Sequence, residues 1–216
     1  DFSMGLSLLC WVIGGIITML GGLCFAEMGA MLPKAGGMTV YLNTAFHPLV
    51  GFLNGFNSWL LSGAGSLAAG ALAFSAIFGL TGTTGKLVAS ALMIAFTAYN
   101  MLGIKAGSMF QNFTMVAKLI PIAIIMISAF LMGDVSPDLA ILPEGTSFDF
   151  SSFIRMTAFA TLATLWAYEG WINLNTVSEE MKNPKRNLPL SLIIAIGGIS
   201  LLSVLFNYEI YRVIPA

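Results

Sequence analysis

The sequence Leu165-Trp-Ala-Tyr-Glu-Gly-Trp171 sets a carboxylate and a glycine in the middle of an otherwise apolar segment. An ionisable group at membrane depth costs about 2.5–3.5 kcal/mol even on insertion scales, so its presence suggests a function. A helix broken at this point would expose backbone N–H and C=O groups to a ligand. Such broken helices are typical of the binding sites of secondary transporters. The alternative is an aromatic packing cluster with a structural carboxylate.

The composition of the whole chain favours a membrane as its surroundings. Of 216 residues, 57% are apolar and 9% are charged, against about 25% charged in soluble domains. The mean hydropathy is +0.89, and the net charge of −1 offers no attraction to a polyanion. These values argue against a soluble domain, a nucleic-acid-binding protein and a disordered chain. The unbroken apolar runs predict an all-α membrane protein whose surface contacts lipid.

The apolar runs predict six membrane spans within a single transmembrane domain, residues 1–216. A span needs roughly 20 apolar residues, and the runs place the spans at about 4–26, 49–78, 87–104, 110–132, 152–177 and 189–211. Basic residues in short loops favour the cytoplasmic side. One set of loops holds Lys34, Lys105, Lys182, Lys185 and Arg186, and the opposite set holds Lys86 and Arg212, with Arg155 near a helix entry. The first set is therefore predicted to be cytoplasmic.

Three further polar residues lie inside the predicted spans. Lys118, which we expect on the cytoplasmic half of its span, either bridges backbone carbonyls or exchanges a proton, or it snorkels to the interface. Ser62 and Ser66 are one helical turn apart and either line a polar pathway or bond back to their own helix. With one histidine and no nucleophile–base pair or metal-ligand cluster in the sequence, we expect no enzymatic activity, no metal and no cofactor.

Three motifs resemble the L-type amino acid transporter branch of the amino acid–polyamine–organocation superfamily. The first is 166–171 with the stretch Val-Ser-Glu-Glu-Met-Lys-Asn-Pro-Lys-Arg-Asn-Leu-Pro at 177–189. The second is Glu-Met-Gly-Ala-Met-Leu-Pro-Lys-Ala-Gly-Gly at 27–37, with Tyr41 downstream. The third is Asn-Phe-Thr-Met-Val-Ala-Lys at 112–118. Along the chain, the motifs at 27–37, 112–118 and 166–189 occur in the same order as in that family's amino acid permeases. The resemblance covers nearly the whole chain.

The resemblance implies a secondary amino acid transporter with a LeuT-type bundle of twelve helices, built as an inverted repeat of five plus five. The chain would then hold helices two to seven, an incomplete transporter core with one broken helix. Substrate would bind at the midplane. Exchange of one amino acid for another is the preferred mode, and proton coupling is the near alternative. A non-transporting sensor or assembly subunit is the alternative from another class.

The same resemblance assigns roles to single residues. Trp166 resembles the aromatic gate over the substrate, and Ala167, Tyr168 and Gly170 would offer backbone groups from the unwound stretch. Glu169 would leave room for a polar or cationic substrate side chain. The remaining assignments place the two serines, Ser62 and Ser66, near the wall of the pocket, and put Lys118 where related transporters hold a structural sodium ion.

Partner and location follow from a departure from the animal members of this branch. Those proteins join a heavy subunit through a cysteine between their third and fourth helices, and residues 79–86 here contain no cysteine. The resemblance therefore predicts a stand-alone, multi-pass permease of a plasma membrane, namely a prokaryotic inner membrane, without a disulfide-linked partner.

Overall fold

The computed structural model describes residues 3–133, 135–141 and 149–213, and the statements on the fold below refer to these residues. The described chain is all-helical. It divides into two compact units. The first comprises the residues up to Tyr41 and those from Ile122 onward, and the second runs from Leu42 to Pro121.

The first unit is built around helix α1, Met4–Met31, which packs against α8, Pro184–Val213, and α7, Phe150–Ala167. Lipid supplies no hydrophobic drive for helices to associate, so close contact depends on small side chains. The buried face of α1 carries them at nearly regular spacing, at Gly14, Thr18, Gly22, Ala26 and Gly29. A core of Ala26, Leu188, Leu192 and Ile196 completes the contact between α1 and α8.

A second set of contacts fixes α7 to α1 through polar side chains. Thr164 Oγ1 donates to the carbonyl of Cys10 at 3.3 Å, and Tyr168 Oη donates to the carbonyl of Trp11 at 2.9 Å. Gly14 leaves room for this approach, because a Cβ at that position would collide with Thr164 Oγ1. These bonds hold the C-terminal end of α7 against α1.

The second unit begins at Leu42, within the short helix α2, Met38–Ala45. Helix α3, Pro48–Asn57, starts with His47 as its N-cap and a proline in its first turn. It continues through a π-helical segment, Ser58–Gly65, into α4, Ser66–Ile77. Helix α5, Gly82–Asn100, packs against α4. Helix α6, Ile104–Met132, begins in this unit and has Pro121 inside it.

Helix bounds differ from the predicted spans at several ends, and two of these differences have a local cause. Helix α6 begins at Ile104, directly after Gly103 with φ 106°, and not near residue 110. Helix α8 begins at Pro184, five residues before the predicted span, because proline suits the first turn of a helix and the preceding Asn183 adopts a positive φ of 48°.

Among the described residues, four helical stretches are long and apolar enough to cross a membrane: Met4–Met31, Pro48–Ile77, Lys105–Met132 and Pro184–Val213. The two remaining predicted spans fall on α5 and on α7 with the segment that follows it. The count of six crossings stays a prediction.

Candidate functional site

The helix containing Trp166 is interrupted where the sequence predicts a break. Helix α7 ends at Ala167, and Gly170 has φ 110° and ψ −18°, a conformation that L side chains rarely adopt. A 3-10 helix, Trp171–Glu180, follows. The first N–H groups of a helix and the last C=O groups of another have no partner within their own helices. Residues 168–170 therefore bring two helix ends together. The N–H groups of Tyr168 and Glu169 donate back into α7 and the Gly170 carbonyl accepts from the 3-10 helix, so only part of their peptide groups is available to a ligand.

The side chains of this stretch point to different surroundings. Trp166 is 80% exposed and Tyr168 is 3% exposed. The Tyr168 ring also packs edge-on against Trp11, with ring centroids 6.0 Å apart. Ala167 and Glu169 are exposed, and the N–H of Glu169 donates to the carbonyl of Trp166 at 3.3 Å. Tyr168 thus anchors the stretch to α1, while the indole and the carboxylate on either side of it remain accessible.

The 3-10 helix after the interruption contacts the C-terminal part of α1 and the residues that follow α1. Trp171 packs edge-on against Phe25, with centroids 5.3 Å apart. The fully buried Asn175 accepts a hydrogen bond at Oδ1 from Tyr41 Oη at 3.2 Å. The N–H of Ala35 donates to Glu179 Oε2 at 2.9 Å. The interruption therefore has a fixed helix on each side.

Comparisons with known proteins agree with this architecture. A family model described as "Amino acid permease" matches residues 3–216. The chain belongs to the amino acid permease family.

Three relatives illustrate the similarity. The rabbit (Oryctolagus cuniculus) "b(0,+)-type amino acid transporter 1" is 34% identical over 98% of this chain and 45% of its own length. The "Serine/threonine exchanger SteT" of Bacillus subtilis (strain 168) is 31% identical over 98% of this chain and 48% of its own length. The mouse (Mus musculus) "Large neutral amino acids transporter small subunit 2" is 31% identical over 95% and 40%. The chain spans less than half the length of each of these relatives.

The two serines of this permease lie in its second unit. Ser62 is exposed within the π-helical segment and Ser66 begins α4. π-Helical turns within α-helices are frequently found at functional sites. Ser66 borders a cavity of about 430 Å³ between α4 and α5, and Ser62 is absent from its lining. Thr97 and Asn100 of α5 supply the polar groups opposite Ser66 in this cavity. The predicted pair is therefore separated: one serine borders the cavity and the other does not.

Lys118 is the central residue of α6, with 14 residues on each side of it within Ile104–Met132. At 1.5 Å per residue, it is about 21 Å from either end of the helix. The sequence predicts a position on the cytoplasmic half of a span at 110–132, and this position in the membrane stays a prediction. The side chain is exposed on the helix surface. A functional ammonium and a snorkelling lysine both stay predictions for this residue.

Sequence reasoning did not select Tyr41 and Asn175 as partners. Tyr41 entered only through its motif, and the two residues are 134 positions apart. The one usable signal was the polar asparagine so soon after the Glu169-Gly170 break. The described residues bring together no group of three or more histidine, cysteine, aspartate or glutamate side chains that would hold a metal ion.

Proposed function

We propose that the chain forms part of a secondary amino acid transporter whose substrate binds at the interruption after α7. The interruption at residues 168–170 carries this proposal, since it offers backbone donors and acceptors between two anchored helices. The α-carboxylate and α-amine of an amino acid need such groups, and the positive end of a helix dipole favours the carboxylate. The relatives described above are named as transporters and an exchanger.

Within this proposal each residue of the stretch has a role. The peptide groups of Ala167, Tyr168 and Gly170 hold the α-amino end of the substrate. The exposed indole of Trp166 closes over the substrate from the outer side. The carboxylate of Glu169 faces the substrate side chain and favours a polar or cationic one, because opposite charges attract strongly where water is excluded. Ser62 and Ser66 stay candidates for substrate contact on the second unit.

The proposed transport mode is exchange of one amino acid for another. After the outer route has closed over the substrate, rocking of helices opens the inner route. Lys118 supplies a fixed positive charge within α6, in the role that a bound cation has in related transporters, so transport would not require sodium. We also propose that no disulfide-linked partner is needed, because residues 79–86, the loop that would hold the linking cysteine, contain none.

The test is an exchange assay on the full-length reading frame that contains this segment, reconstituted in liposomes. Labelled amino acid outside is expected to enter vesicles preloaded with unlabelled amino acid much faster than empty ones. If labelled amino acid enters empty vesicles and this entry depends on a pH gradient, the transport mode is proton coupling and not exchange. Saturable binding without any transport would favour the sensor instead.

A variant pair ties the assay to the interruption. Gly170→Ala puts a Cβ at φ 110°, which costs about 1–2 kcal/mol, and is expected to reduce exchange about 10-fold. Gly198→Ala is the matched control, because Gly198 lies inside α8 with open space around its Cβ position. Equal exchange by both variants would argue against substrate binding at residues 168–170.

A further inference from the structure

The loop after α1 folds back onto the C-terminal half of the 3-10 helix. Gly36 and Gly37 have φ 115° and 52°, and this left-handed pair turns the chain toward the helix. The N–H of Gly36 donates to the carbonyl of Thr176 at 3.3 Å. The buried hydroxyl of Ser178 donates to the carbonyl of Lys34 at 3.4 Å. With the bond from Ala35 to Glu179, the loop and helix are joined at three places.

A fourth contact lies deeper, between Tyr41 and Asn175. The two side chains are 5% and 0% exposed, and Tyr41 Oη donates to Asn175 Oδ1 at 3.2 Å. Gly29 of α1 lies beside both: a Cβ there would be 2.6 Å from Asn175 Oδ1 and 3.0 Å from Tyr41 Oη. Among the described residues, Asn175 Nδ2 is buried without a hydrogen-bond partner. Among the described residues, the Asn175 side chain is thus hydrogen-bonded through Oδ1 and not through Nδ2.

We propose that residues 34–37 and Tyr41, together with residues 175–179, act as an inner clamp that positions the 3-10 helix for transport. Tyr41 and Asn175 are its positioning residues. This inference rests on the proposed transport function and on the predicted cytoplasmic side of Lys34 and Lys182. A 3-10 helix has poorer hydrogen-bond geometry than an α-helix, so outside contacts determine where it lies. Asn175 is five residues after Gly170, about 10 Å at 2.0 Å per residue.

The clamp favours the state in which the inner route is closed. Opening that route requires the 3-10 helix to leave the loop or to move with it, and the four contacts oppose the first of these motions. Loss of the Tyr41–Asn175 bond weakens the inner-closed state relative to the inner-open one. A shift in that equilibrium lowers the apparent affinity for outer substrate and raises it for inner substrate.

The experiment measures KM separately on the two faces of the full-length protein, reconstituted in one orientation, with the labelled amino acid that the unaltered protein exchanges. Tyr41→Phe removes one hydroxyl and keeps the ring. It is expected to raise the ratio of outer to inner KM about 5-fold. Tyr99→Phe is the matched control, because Tyr99 Oη also donates a hydrogen bond, here to the backbone carbonyl of Ala106 at 3.0 Å, in the second unit.

Further variants distinguish positioning from general damage. Asn175→Leu alone and combined with Tyr41→Phe should change the ratio by similar amounts, since both remove one shared bond. Should Asn175→Leu fail to fold, Ser178→Ala replaces it as the second variant. A purely structural defect lowers the maximal rate and leaves the KM ratio unchanged. That result for Tyr41→Phe overturns the clamp, whereas absence of exchange by the unaltered protein overturns the proposed function and the clamp with it.

Discussion

Glu169 is the residue whose chemistry most directly links the interruption to a class of substrate. It is exposed beside the positive-φ glycine, so its carboxylate is free to face a ligand. We expect Glu169→Gln to lower kcat/KM for cationic amino acids about 10-fold relative to neutral ones, equivalent to ~1.4 kcal/mol. Competition between labelled cationic and neutral substrates measures this ratio. Glu180→Gln, at the end of the 3-10 helix, is the control. If both substrate classes respond equally, the carboxylate has a structural role.

Lys118 poses a separate question at the same scale. It lies at the centre of α6, and we predict that its ammonium acts within the protein rather than reaching the interface. Lys118→Ala is expected to lower the maximal exchange rate at least about 10-fold, while Lys105→Ala, at the start of α6, is expected to leave it nearly unchanged. The measurement is exchange normalised to the amount of folded protein. Unaltered exchange by Lys118→Ala would establish the snorkelling interpretation.

Single residues were predictable from sequence where they break a compositional rule. Glu169 and Gly170 stand out because charge and glycine are costly inside an apolar helix, and the chain is interrupted at that pair. Tyr41 and Asn175 were not found as a pair, because a tyrosine and an asparagine in a polar segment break no rule. Their importance comes from a contact between residues 134 positions apart, which no local pattern contains.

At the scale of elements, the start of α7 depends on a charged cap. Asp149 Oδ1 and Oδ2 accept hydrogen bonds from the N–H groups of Ser151 and Ser152 at 3.3 and 3.1 Å. A hydrogen bond with the Ser152 side chain, followed by these backbone bonds, lowers the pKa of Asp149 below its ordinary value of 3.8. A lowered pKa in the folded state means that the ionised cap stabilises the fold above pH 3.8 and that this contribution is lost as the pH falls through the folded-state pKa.

The pH dependence of the cap is measurable against an isosteric variant. We expect the wild-type protein to have a higher Tm than Asp149→Asn at pH 7, because a negative charge suits a helix N-terminus. The difference should shrink and vanish as the pH falls below the folded-state pKa of Asp149. Asp138→Asn, in the loop before α7, serves as the control. A difference in Tm that stays constant from pH 7 to pH 3 would contradict the prediction.

Elements were predictable in kind, and their ends and subtypes were not. Long apolar runs predict helices because lipid leaves the backbone no other hydrogen-bond partners. The π-helical turn at Ser58–Gly65 and the 3-10 helix at Trp171–Glu180 depend on packing rather than on residue type. The early start of α8 did have a signal, Asn183-Pro184, but the basic residues after it were interpreted as a loop. The charged residues Lys185 and Arg186 favoured a loop, although the dipeptide Asn183-Pro184 indicates the start of a helix.

For the whole molecule, the number of membrane crossings remains the central prediction. Four stretches satisfy a length and hydropathy criterion, whereas the apolar runs of the sequence predict six crossings. Helices α5 and α7 account for the difference, with 19 and 18 residues. At 1.5 Å per residue such helices are about 27–29 Å long, close to a hydrocarbon core of ~30 Å. Their polar residues lower the mean hydropathy without shortening the helix, so length and composition disagree.

Single cysteines introduced into a variant of the full-length protein without native cysteines would decide between four and six crossings. Thr83→Cys, in the first turn of α5, and Ser136→Cys, before α7, are expected to react with a membrane-impermeant thiol reagent in intact cells. Ser108→Cys and Glu180→Cys, beyond the opposite ends of α5 and α7, should react only after permeabilisation. If Thr83→Cys and Ser108→Cys label alike, α5 does not cross, and likewise for Ser136→Cys, Glu180→Cys and α7. With four or six crossings an even number of spans separates Lys34 from Lys182, so both residues share one side and the inner clamp keeps its position. Crossing by only one of α5 and α7 would put the two residues on opposite sides, which the hydrogen bonds between their segments contradict.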